Sequence, residues 1–283
     1  MLSKRIETHV RDGNPKRWVS TVIGVNWLRT KTIDRVRWLT IDRPDKKNAV
    51  PTEGWPALAA AFTDFEKSQD RVLVVTGAGG DFCAGADLDP ERFSGTAPVA
   101  EAHRRMKVVE RAATALHRTT KPTVAAVDGV AVGAGMNLAL GCDVVIATDR
   151  ARFSEIFVRR GLSVDFGGTW LLPRIVGLQR AKELALSGRV VDASEAERLG
   201  IAMEVVAVDE LHRRVTQIAE SFLSGAPIGQ MFAKQGINAS FESSFAESVS
   251  WEGQSQAIAL GTEDVIEGVA AFLEKRDPEW RGR

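Results

Sequence analysis

The chain is 283 residues long, with 44% hydrophobic and 26% charged residues, which fits a soluble globular protein of one large domain or a domain with a helical tail. Lys plus Arg equals Asp plus Glu at 37 each, so global charge gives no reason to expect a nucleic acid or an anionic membrane as partner. Two cysteines cannot staple a chain of this length, no apolar run is long enough to span a bilayer, and the absence of tyrosine removes one class of catalytic acid.

Residues 1–18 are polar and mixed in charge, with Glu7 and Asp12 and without the apolar core of a secretory signal. They read as a loosely attached arm on a cytoplasmic protein. Val22–Leu28 and Arg35–Ile41 alternate or run apolar on either side of the polar 29–34 stretch, which predicts a hairpin with those segments as its strands. Asp42 to Asn48 is a turn-rich loop carrying the cations Arg43, Lys46 and Lys47. Thr52–Lys67 places Trp55, Leu58, Ala59, Phe62 and Phe65 on one side and predicts a helix. Arg71–Thr76 predicts a buried strand, Gly77–Leu88 a glycine-rich turn, and 89–100 a mobile loop punctuated by Pro90, Gly95 and Pro98. A helix over Ala102–His117 leads to a short strand, Val124–Val127, and to a second glycine-rich turn that opens into the apolar helix Met136–Leu140. A strand at Val144–Ala147 follows, then a loop at Gly161–Thr169 that leads into another helix start. Short helices are predicted at Leu178–Ser187 and Ala193–Leu199, a strand within Ile201–Val208, and an amphipathic helix over Glu210–Leu223. Pro227–Lys275 reads as helical throughout, and its last helix carries Val265, Val269, Ala271, Phe272 and Leu273 for its own core or for a partner chain. Strands alternating with helices, then a run of helices, indicate an α/β protein with a helical C-terminal region. The expected division is an arm at 1–18, a core at 19–210 and a helical region at 211–283.

Chemistry is expected at the two glycine-rich turns. Gly133-Ala134-Gly135 is small enough for backbone to approach a ligand, and amides at a helix start lack intrahelical partners. The helix dipole adds to this, so the turn is suited to an oxygen that gains negative charge. Neither turn is followed by the Lys-Ser/Thr of a phosphate-binding P-loop.

Leu39–Ala49, Phe82–Leu88, Ala125–Asp143, Gly161–Gly168 and Asp264–Arg276, taken together and in that order, resemble the crotonase family, the enoyl-CoA hydratase/isomerase superfamily. The resemblance implies a crotonase-like spiral of ββα repeats with a C-terminal helical trimerisation region, assembled as a homotrimer or a dimer of trimers. It implies an acyl-CoA thioester as substrate, with coenzyme A entering as part of that substrate and no separate cofactor. Two main-chain amides then hold the thioester oxygen. Matched by position they belong to Ala86 and Ala134; many members carry glycine where Ala134 stands, and the extra methyl narrows the pocket. One such donor is worth roughly 3–4 kcal/mol to an oxygen that becomes an anion. The same resemblance places Arg43, Lys46 and Lys47 near the coenzyme A, Ala84, Asp87 and Leu88 along its adenine and pantetheine wall, and Phe272 and Lys275 in a C-terminal segment that reaches the ligand.

The hydratase branch of the family uses two glutamates, and the matching positions here are Asn137 and Phe157, neither of which transfers a proton. Asp165 resembles instead the single catalytic aspartate of several isomerase and dehalogenase branches. The run Asp165–Arg174 looks most like the ring-1,2-epoxyphenylacetyl-CoA isomerase and double-bond isomerase members. Its apolar neighbours Leu162, Val164 and Phe166 predict a raised proton affinity. The competing local role for Asp165 is an N-cap for the helix through Thr169 and Trp170. Glu155 reads as a surface or structural carboxylate. Cys83 and Cys142 read as small buried fillers and Asp128 and Asp143 as turn formers, while His9, His103, His117 and His212 have no metal-ligand spacing. The expected activity is a double-bond shift or isomerisation of a ring-modified acyl-CoA, with Asp165 both taking and returning the proton. Alternatives are a hydratase using Glu155, a hydrolase or dehalogenase with Asp165 as nucleophile, and a non-catalytic acyl-CoA binder.

Overall fold

Asp34 and Arg35 adopt left-handed backbone, with φ of 47° and 64°, a two-residue reversal that matches the twist of a hairpin. The strands it joins are Leu28–Ile33 (β2) and Val36–Ile41 (β3), antiparallel, with Ile33 opposite Val36. This corrects the expected hairpin: the polar 29–34 stretch is mostly strand. Leu28 and Thr30 are buried while Arg29 and Lys31 are exposed, the period of a strand with one wet face. Val19–Val22 (β1) is a separate strand that pairs antiparallel with β2. The computed structural model describes residues 19–22, 25–88, 95 and 97–283. The expected arm, and residues 89–94 and 96 of the expected mobile loop, lie outside the described residues.

From β3 the ladder turns parallel, through Val72–Gly77 (β4), Thr123–Val127 (β5), Val144–Thr148 (β7) and Glu204–Val206 (β10). The seven strands lie in the order β1-β2-β3-β4-β5-β7-β10. β4 and β5 are apolar nearly throughout because helices cover parallel strands on both faces. A second sheet of three short strands, which the sequence reading did not anticipate, joins Val130–Val132 (β6), Arg152–Ser154 (β8) and Val191–Asp192 (β9) in the order β6-β8-β9.

Helix α1 (Trp55–Lys67) starts after Gly54, with proline in its first turn, and buries Trp55, Leu58, Phe62 and Phe65 as its apolar stripe predicts. Burial of each large side chain contributes about 1.5–3 kcal/mol. α2 spans Val99–His117, α3 Ala134–Leu140, α4 Gly168–Val176, α5 Leu178–Ser187, α6 Ala193–Leu199 and α7 Leu211–Leu223. In a parallel ladder all strands end on one edge. The chain leaving β3, β4 and β5 at that edge supplies both the cationic loop and the two glycine-rich turns.

The chain divides into two compact units, one of residues up to Val215 other than 120–122, the other of 120–122 with Thr216–Arg283. In the second unit the expected continuous helix is broken into α8 (Pro227–Ala239), α9 (Phe245–Leu260) and α10 (Glu263–Glu274). Ser244 and Glu247 cap the start of α9 reciprocally, and Thr262 caps α10 by accepting from the Val265 amide at 3.3 Å. Among the described residues no helix is long and apolar enough to cross a membrane.

Candidate active site

The extended segment around residues 82–87 lies between two others. On one side the Val50 amide donates to the Gly85 carbonyl (2.7 Å) and the Asp87 amide donates to the Val50 carbonyl (2.9 Å). On the other the Cys83 amide donates to the Val130 carbonyl (2.9 Å), and the Cys83 carbonyl accepts from the Val132 amide (3.1 Å). Pairing of this parallel kind leaves the middle residue, Ala86, with its own amide turned away from Val50. That is the side on which β6 ends and α3 begins. A Cβ at Gly85 would sit 2.9 Å from the Val132 carbonyl oxygen and 3.3 Å from the Ala134 amide nitrogen. A Cβ at Gly135 would overlap the carbonyl of Cys83. The two glycine-rich turns therefore adjoin at a clearance that only glycine at 135 permits.

The first backbone bond of α3 runs from the Asn137 amide to the Gly133 carbonyl (3.1 Å). The Ala134 amide stands ahead of it, at the positive end of the helix. Ala134 is 3% exposed and Ala86 is exposed, so Ala134 lies inside the junction and Ala86 at its rim. Phe157 packs 3.6 Å from where a Gly133 side chain would begin, which makes an apolar wall beside Ala134.

Asp165 does not cap a helix: α4 begins at Gly168, its N-cap is Gly167, and no side chain caps it. Only the main-chain carbonyl of Asp165 serves the turn, accepting from the Gly168 amide at 3.1 Å. Phe166 has a φ of 51° and Gly167 a φ of 84°, two left-handed residues in succession. For a bulky residue that backbone is unfavourable, and Phe166 is held there by burial and by its ring contact with Trp55 at 5.7 Å. The Asp165 side chain is half-buried, its Oδ1 has no hydrogen-bond partner among the described residues, and burial raises its proton affinity to a pKa of about 6.

Asn137 ties this turn to another carboxyl. Its Nδ2 donates to the Asp165 carbonyl at 2.9 Å and to Oε2 of Glu155 at 3.3 Å. Gly168 leaves the room, since a Cβ there would overlap the Asn137 carboxamide. Glu155 is 1% exposed, which removes the surface half of the expectation that it is a surface or structural carboxylate. Burial pushes it up to about 7, the Asn137 amide opposes this, and the Asp165 charge adds to it. No alternation in the sequence signals this burial: Phe153, Ser154 and Glu155 are all buried in succession, and Phe157 lies in the short 3-10 turn that follows.

The cationic loop is built into the first glycine turn. Arg43 bonds Asp87 at 2.8 Å and the Ala49 carbonyl at 2.7 Å, so two of the residues expected along coenzyme A hold each other. The Lys47 carbonyl accepts from the Ala84 amide at 2.9 Å, and buried Asn48 spans from the Arg43 amide to the carbonyls of Ala78 and Asp81. Lys46 and Lys47 are exposed, as is Leu88. Arg43, Lys46, Lys47, Ala84, Asp87 and Leu88 are thus brought together around Ala86. Phe272 and Lys275 belong to the second unit, where Phe272 is exposed and Lys275 closes α10 in a left-handed turn. Cys83 is buried, and burial pushes its thiol up to about 12, out of reach for nucleophilic chemistry near neutrality.

The family model for enoyl-CoA hydratase/isomerase matches residues 32–283. The 1,2-epoxyphenylacetyl-CoA isomerase of Escherichia coli is 37% identical over 254 residues, covering 88% of this chain and 95% of the relative. The short-chain-enoyl-CoA hydratase of Clostridium acetobutylicum is 32% identical over 247 residues, 87% of this chain and 94% of that one. Among solved structures, an enoyl-CoA hydratase/isomerase from Cupriavidus metallidurans superposes with a TM-score of 0.82 at 38% identity, covering 92% of this chain and 97% of that one. An enoyl-CoA hydratase from Bacillus anthracis gives 0.86 at 30% identity, with coverage of 91% and 100%. The crotonase spiral read from the loops is therefore the fold, and the chain belongs to the enoyl-CoA hydratase/isomerase family of acyl-CoA enzymes.

Proposed function

We propose that the enzyme shifts a double bond in an enoyl-CoA, or isomerises a ring-modified acyl-CoA, with Asp165 as its acid and base. The observation that carries this reading is the Asp165 carboxyl: half-buried, unused by the helix start it precedes, and raised toward neutrality. The thioester oxygen sits against the amides of Ala86 and Ala134. Asp165 takes a proton from the acyl chain, and the electron pair moves onto the thioester oxygen as an enolate. The two amides and the α3 dipole stabilise that charge. The carboxylic acid then returns its proton to another carbon, and the double bond has moved with no net change in atoms. A base poised near the working pH suits both halves of the exchange. The relative named 1,2-epoxyphenylacetyl-CoA isomerase supports the same direction. Lys46 and Lys47 meet the coenzyme A phosphates, with Arg43, Ala84, Asp87 and Leu88 shaping the loop beside them. Phe272 and Lys275 close over the ligand in a homotrimer or dimer of trimers.

The test is turnover of a panel of acyl-CoAs in deuterated water. The wild type incorporates deuterium and forms the isomer, whereas Asp165→Asn loses activity by roughly 10²–10⁴-fold. Full turnover by D165N overturns the reading. A second reading, hydration, draws on the relatives named hydratases and on Glu155, which gives the site two carboxyl groups. Incorporation of solvent ¹⁸O into an enoyl-CoA would establish it in place of isomerisation.

A further inference from the structure

Glu155 lies 1% exposed, with no cation against it among the described residues. Arginines on the adjoining segments have acceptors of their own. Arg159 donates to the Ser187 carbonyl (3.0 Å), Arg152 to the Ala151 carbonyl (2.8 Å) and Arg174 to the Trp170 carbonyl (3.0 Å), while Arg189 is held by Glu183 and Glu195. The charged group that acts on Glu155 is Asp165, and the group between them is the neutral Asn137 carboxamide.

Three buried oxygens of this cluster lack a hydrogen-bond partner among the described residues: Asn137 Oδ1, Glu155 Oε1 and Asp165 Oδ1. All three are acceptors, and a buried acceptor without a donor is destabilising. The one amide donor, Asn137 Nδ2, is already divided between two oxygens. What the cluster lacks is a donor, and a carboxyl proton supplies one. Two carboxyl groups placed this way do not both ionise readily.

Resting on the reading of Asp165 as the base, we propose that Glu155 is a positioning residue of the site: it holds a proton during turnover, so that the Glu155–Asn137–Asp165 cluster works as a single anion. Asp165 ionises first, at about 6, and its charge then holds the Glu155 proton to about 7. Loss of that second proton sets another negative charge beside the forming enolate and slows the reaction. The single anion is the active form, and activity is confined between the two ionisations.

The experiment is the pH dependence of kcat/KM for wild type, Glu155→Gln and Asp165→Asn. Glutamine matches the protonated carboxyl in shape and also donates a hydrogen bond. The wild type should show an acidic limb near 6 and an alkaline limb near 7. E155Q should keep the acidic limb while its alkaline limb disappears, whatever its plateau rate. A difference infrared spectrum of wild type minus E155Q, recorded between the two limbs, should contain a protonated-carboxyl band, and this readout needs no turnover. An alkaline limb retained in E155Q, its absence from wild type, or a spectrum without that band overturns the proposal. Those results leave the base assignment standing, because that assignment falls only if D165N turns over.

Discussion

A carboxyl group taken out of water without a cation makes the folded state prefer its proton. Glu155 therefore links stability to pH. Its pKa is raised in the folded state from 4.5 to about 7, so the folded protein binds more protons than the unfolded chain between those values. The stability this contributes is fully present below 4.5 and is lost as pH rises through about 7. Chemical denaturation of wild type and E155Q in parallel should show the variant gaining relative stability across that window, by at most ~3 kcal/mol, and no further change above it. A difference that does not vary with pH would sink the account. The burial of Glu155 was not legible: the residue follows the short strand β8, which forms only by pairing with distant β6 and β9, and buried Ser154 beside it leaves no alternation to read. Asp165 was singled out by its motif, and the catalytic role proposed for it rests on that resemblance together with its burial. Its failure to cap α4 was not legible, because that depends on the left-handed backbone of Phe166 and Gly167.

At the scale of elements, the meeting of the Phe82–Asp87 segment with the start of α3 is the sensitive joint. Gly135→Ala would press a methyl group onto the Cys83 carbonyl. Overpacking of this kind costs about 1–3 kcal/mol, and a shift of either loop misaims the amides beside it. The variant should melt earlier and lose more than tenfold in kcat, measured by calorimetry and steady-state turnover. Gly253→Ala, on α9 with nothing within 4 Å, should instead raise stability by about 0.5–1 kcal/mol. A G135A protein as active as wild type would show that the loops are not clamped. Glycine spacing exposed both turns in the sequence, while the Leu28–Ile33 strand was misread because its outward residues, Arg29 and Lys31, resemble a loop.

For the molecule as a whole, the exposed apolar residues of α9 and α10 support the proposed assembly. Phe245, Ile266, Phe272 and Leu273 are each more than 70% exposed. Faces of this composition mark interaction surfaces rather than solvated ones. The family resemblance names a second copy as that partner, and light scattering after size exclusion should return a trimer or a hexamer. Phe272→Asp with Leu273→Asp should yield smaller species and weaken acyl-CoA binding; a wild-type monomer at all concentrations would refute the assembly. The parallel ladder has a further consequence during synthesis. Its strands pair in chain order, and the parts of the site within the first unit are spread from Arg43 to Gly168. A nascent chain on the ribosome displays the Phe82–Leu88 turn while Ala134 and Asp165 are still untranslated. For most of its elongation it has unpaired apolar strand edges and no pocket for a ligand to stabilise. Helper proteins that shield such edges, rather than the supply of acyl-CoA, should govern how much enzyme a cell recovers.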